Sequence, residues 1–229
     1  MRRFPALVLA LALLLTAAGG EAPPGGERDA RLHALEVFRV CAFSSEYLSG
    51  GRDFLVRWED PFRVFAAGEP DRHDLRLLAD FLGELRARVP GLPEISLAES
   101  EDGADIVLRF CPYGEMADAV PGYVPGNAGY FFFRYDSRGA ITDAVIAVAT
   151  DVGGRAVRNQ VIREELVGAL GLANDHTADR DSILYEGPSD AETLSELDWM
   201  MLEYLYSPAV RPGERWDAVE RELRRQYGL

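Results

Sequence analysis

VIREELVGALGLANDHT, running from Val161 to Thr177, is the stretch on which the fold turns. Val161, Ile162, Leu166, Ala169 and Leu170 recur at the three- and four-residue spacing of one helix face. Gly171 follows the last of them, where a left-handed stop suits glycine. The spacing predicts a helix from about Arg155 to Leu170. Glu165 shares a row with Val161 and Ala169, so a carboxylate lies beside the apolar stripe. Such a group sits at the edge of the core or is buried with partners; buried without hydrogen bonds, it takes up a proton. Ser182, Tyr185 and the Asn174–Asp175 turn are the candidate partners. Glu164 is the next residue and points about 100° away, so the two are not a facing glycosidase pair.

Working outward from this helix, ITDAVIAVAT and YFFFRY, joined by a turn around DSRG, read as a hairpin with a well-buried second strand. EISLAES and ADIVLRF are short strands, and DFLVRWEDPFRVFAAG is one or two strands broken at Pro61. DRHDLRLLADFLGELRARV places Leu75, Leu78, Leu82, Leu85 and Val89 at helical spacing, with Asp71 as N-cap. LHALEVFRVCAF is a short helix or strand, and PYGEMADAVPGYVPGNAG is a long loop. AETLSELDWMMLEYLY is a strong helix near the end. The expected class is mixed α/β (α+β): a single domain, one mixed sheet with packed helices, a long helix before Gly171 and a C-terminal helix.

Set together, EELVGALGLAN, DSILYEG and LSELDWMMLEYLY resemble the metzincin-type zinc peptidases, whose signature is HExxHxxGxxH on a helix ending at the glycine. The resemblance covers roughly residues 50 to 206. It puts Glu165 at the general base and Gly171 at the turn. It puts Glu164, Gly168 and Asn174 where the three histidines would be, and Leu184 where a methionine would underlie the metal. More narrowly, EELVGALGLAND, DSI, LSELDWMMLEYLYSP and RPG are similar to the DUF2927 family of exported proteobacterial proteins, which implies a compartment and a fold and no activity.

A catalytic zinc takes three protein ligands and an open position. Gly168 has no side chain, and Asn174 is a weak neutral donor. Zinc peptidase activity is therefore not expected. His33, His73 and His176 are the chain's only histidines; His176 reads as a solvated loop residue with a course toward the cleft. The loop NDHTADRD has oxygen donors of the calcium kind but lacks the spacing and central glycine of an EF-hand. No cofactor is implied. The absence of any lysine removes Schiff-base chemistry.

Arg2 and Arg3, the run FPALVLALALLLTAA and then GGEAPPGG have the layout of a secretory signal peptide. The run is shorter than the ~20 residues of a membrane span, and no cysteine near the cleavage site offers a lipid anchor. The organisation expected is residues 1–20 signal peptide, 21–30 flexible lead-in, 31–206 domain and 207–229 turn and tail helix. The protein is expected to be exported, periplasmic or secreted. Cys41 and Cys111 then read as one disulfide, closing a loop of about 70 residues worth up to ~4 kcal/mol. A net charge of −14 argues against nucleic acid and anionic membrane surfaces as partners.

Three functions follow as alternatives. The first is a non-catalytic exported domain whose cleft binds a peptide or envelope component, with GYFFFRY as its edge strand. The second is a hydrolase using Glu165 and a metal held by Glu164, Asp175 or His176. The third is a structural or assembly protein of the cell envelope. The cleft candidates are Glu164, Glu165, Asn174, Asp175 and His176.

Overall fold

The computed structural model describes residues 25–43 and 53–229; the signal-peptide reading falls outside them. Its core is a five-stranded sheet with the order β2-β1-β3-β5-β4. The strands are β1 (Phe62–Gly68), β2 (Ile95–Leu97), β3 (Ile106–Cys111), β4 (Gly129–Tyr135) and β5 (Ile141–Ala149). β1 runs parallel to β2 and β3, and β3 parallel to β5, whereas β4 returns antiparallel to β5 as the hairpin predicts. This is the mixed α/β layout expected.

Alternation along the strands assigns the two faces. Ile106, Leu108 and Phe110 of β3 and Ala144, Ile146 and Val148 of β5 join the main core. The helices on that side are α1 (Gly25–Phe43), α2 (Arg72–Arg88), α4 (Gly154–Leu170), α5 (Glu196–Leu205) and α6 (Trp216–Tyr227), all contributing buried residues to the same cluster. Cys111, Ala147 and Ala149 face the other way and meet Met116 of the one-turn α3 (Met116–Ala119) and Val120.

That division overturns the disulfide. Cys41 lies in the main core, on α1, and Cys111 belongs to the small cluster on the opposite face of the sheet. Both thiols are buried and free. Burial raises the pKa of each above the ordinary thiol value, and Cys111 Sγ sits 3.8 Å from Met116 Sδ.

Other boundaries move for identifiable reasons. α1 starts at Gly25, inside the segment read as a flexible lead-in, because Ala34, Leu35, Val37, Phe38, Cys41 and Ala42 form a buried helical face. α2 has the expected Asp71 cap, completed as a capping box by Asp74. Leu75 is 45% exposed, however, and Leu77 and Phe81 are buried instead. α5 begins only at Glu196, behind a capping box of Ser195 and Asp198. The tail helix is docked, with Val219 and Leu223 fully buried. Among the described residues no helix is long and apolar enough to cross a membrane.

α4 is held at both ends. At its start Arg155 and Arg158 reach the buried Asp74 of α2 at 2.6 and 3.3 Å. At its end, where helix carbonyls lack intrahelical donors, the Trp58 indole N–H donates to Ala169 O at 3.0 Å and the Tyr206 hydroxyl to Leu170 O at 2.9 Å. Gly171 turns the chain at φ 127°, and a Cβ there would stand 2.5 Å from Val56 O. Glycine is needed for both reasons.

Candidate functional site

Beyond Gly171 the chain runs back under β4, and a pocket of about 80 Å³ opens between α4 and that strand. Glu164 and Glu165 line it from α4, Tyr130 and Phe131 from β4, and Asp175 and Leu184 from the loop. Two glycines set the separation. A Cβ on Gly129 would lie 2.4 Å from Glu165 Oε1, and one on Gly168 would lie 2.4 Å from the Phe131 ring. At each contact a glycine of one element receives a side chain of the other: Gly129 of β4 takes Val161 and Glu165, and Gly168 of α4 takes Phe131. Position 168, where the HExxH pattern calls for a ligand, is roofed by an aromatic ring.

Glu164 and Glu165 both hold a proton more tightly than an ordinary carboxylate. Burial, then the charge of Asp175, pushes Glu164 up to about 7, against a hydrogen bond from Gln160 that favours the ionised form. Glu165 is 9% exposed and is driven well above the usual carboxylate range by burial, then by Glu164 and Asp175. The Tyr130 hydroxyl is raised by burial and by Glu165. Among the described residues no hydrogen bond joins Glu165 to any of its expected partners, Ser182, Tyr185 or the Asn174–Asp175 turn.

Asn174 turns away from the pocket. Its side-chain amide donates to Cys41 O at 3.0 Å and Val40 O at 3.3 Å, bonding the last carbonyls of α1. His176 also leaves the cleft and is buried, not solvated. Ala178 N–H donates to its Nδ1 at 3.1 Å, so Nε2 carries the proton and donates to Ser182 Oγ at 2.9 Å. Burial lowers its pKa, which favours this neutral ring. Ser182 Oγ donates in turn to Asp198 Oδ1 at 2.5 Å. Asp198 Oδ2 accepts from Ile183 N–H at 3.0 Å, Ser195 N–H at 2.8 Å and the Ser195 hydroxyl at 2.8 Å.

This trio is not a hydrolytic triad. A triad puts the histidine between serine and carboxylate, so that the imidazole accepts the serine proton. Here the serine is central, its proton already goes to Asp198, and its hydroxyl is fully buried. The trio fastens the loop to the start of α5.

Of the five cleft candidates, the structure brings together Glu164, Glu165 and Asp175, and assigns Asn174 and His176 to structural bonds. Among the described residues no group of three His, Cys, Asp or Glu side chains has metal-holding geometry. Sequence reasoning missed Phe131 as the cover of Gly168, and missed Ser182–Asp198. The Ser-x-x-Asp spacing of Ser195 and Asp198 is a capping-box signal that marks half of Asp198's work.

A family model described as a protein of unknown function, DUF2927, matches residues 33–225. The chain belongs to the DUF2927 family. The match runs past residue 206, so the DUF2927 unit takes in most of α6. No curated protein matches the chain.

Proposed function

We propose that this DUF2927 chain is an exported, non-catalytic binding module, and that the junction of β4 and α4 takes a peptide or another envelope component. The observation that carries the reading is the pocket itself. It lies beside the terminal strand of the sheet, with one aromatic wall and carboxylates, and with glycine and an aromatic ring where a zinc site would need a ligand. An edge strand next to a cleft is where an extended peptide adds to a sheet. The sheet order, with an antiparallel edge strand above a helix ending in glycine, supports a metzincin-like, degenerate-peptidase reading of the scaffold. In that reading no zinc or other cofactor is required.

The test is a ¹⁵N NMR titration of the chain with pooled acetylated pentapeptides, alongside elemental analysis of protein purified without chelator. Binding should perturb the amides of Gly129, Phe131 and Gly168, with the peptides recovered intact. Cleaved peptides together with stoichiometric metal would replace this reading with the hydrolase. Perturbation confined to other surfaces would end the assignment of this site.

A further inference from the structure

Glu165 is nine-tenths buried and lines the pocket, yet no hydrogen bond or ion pair reaches its carboxylate from the described residues. Buried carboxylates are ordinarily paired or hydrogen-bonded. Among the described residues no arginine or histidine lines the pocket to serve it. The titratable groups facing it are Glu164 on its own helix, Asp175 on the loop and Tyr130 on β4. Carboxyl groups stand on two sides of the pocket and the Phe131 ring on a third, around a volume of about 80 Å³. At about 30 Å³ per water that is room for two or three waters, or for one compact organic cation.

We propose that the pocket receives one basic side chain, an arginine guanidinium, from the peptide bound at β4; this rests on the binding-module reading above. The guanidinium is planar, stacks on aromatic faces and presents a fork of N–H donors to carboxylates. The Phe131 ring, on the α4 side of β4, forms the stacking wall, and Glu164 and Glu165 accept the fork. In the empty pocket the carboxyls hold protons that the entering cation displaces, so affinity rises with pH until Glu164 and Glu165 are ionised.

The experiment uses three probes on the mature chain: acetyl-Ala-Ala-Arg-Ala-Ala-amide, the same peptide with citrulline for arginine, and methylguanidinium chloride. Amide shifts of Gly129 and Gly168 are the readout. The arginine peptide should bind at least about tenfold more tightly than its neutral isostere. That preference should vanish in Glu165→Gln and grow from about pH 6 to about pH 8. Equal binding of the two peptides overturns the cation pocket and leaves the peptide groove standing. Methylguanidinium shifts that Glu165→Gln abolishes, with neither peptide bound, keep the pocket and remove the groove. No response to any probe overturns both. A preference that survives in Glu165→Gln and in Glu164→Gln also overturns the assignment, since a merely structural role predicts that result.

Discussion

Two buried carboxylates lie on neighbouring elements and live differently. Asp198 is fully buried and accepts from two backbone amides and two hydroxyls. Glu165 is nearly as buried and faces two other acids across a small cavity. The first has its acceptor sites filled by donors, and the second has its charge penalised by burial and neighbouring acids. A carboxylate whose bonds are complete is committed to the fold, whereas one left facing a cavity with like charges is available to a ligand.

The largest effect expected is at the completed site. Asp198→Ala strips the acceptor from Ser182, Ile183 and Ser195 together, and should cost about 3–5 kcal/mol in urea unfolding at neutral pH. A loss under about 1 kcal/mol would erase the contrast between the two carboxylates.

Next is the contact that shapes the pocket. Gly168→Ala drives a methyl group into the Phe131 ring and should destabilise by about 1–3 kcal/mol. Adding Phe131→Leu should return about 1 kcal/mol of this, read as a coupling energy in a double-mutant cycle. Strict additivity would mean that ring and glycine are not in contact in solution.

The smallest effect has the opposite sign. Glu165→Gln removes a penalised charge and should raise Tm by about 2–4 °C at about pH 8. The gain should fade toward about pH 5. Glu164 and Glu165 hold protons in the folded chain that the unfolded chain has already released. Stability therefore falls as pH rises from the ordinary carboxylate range through about 7, the value for Glu164, and on through the higher range of Glu165. A substitution that lowers Tm at both pH values would show that Glu165 is a satisfied structural group after all.

Much of this architecture is legible in the chain, because periodicity reports burial. The α4 stripe, the Asp71 cap, the Gly171 stop and the β4–β5 hairpin all follow from local spacing. The role of a polar residue does not follow so easily, since it depends on which partners the loop brings near. Asn174 and His176 follow the helix closely, near the cleft in sequence, and loop closure hands Asn174 to α1 and His176 to Ser182. The cysteines fail for a related reason. Compartment and loop length speak for a bridge, but neither reveals that a sheet stands between the two thiols. Glu164, Glu165 and Asp175 were found because helix geometry and a glycine turn leave them few directions to point.

The ring of Phe131 over Gly168 also has an evolutionary side. Position 168 and position 131 form an epistatic pair: any larger residue at the first is paid for at the second. A histidine introduced at 168 alone would meet an aromatic ring before it met a metal, so descent toward a zinc site would have to pass through a smaller residue at 131.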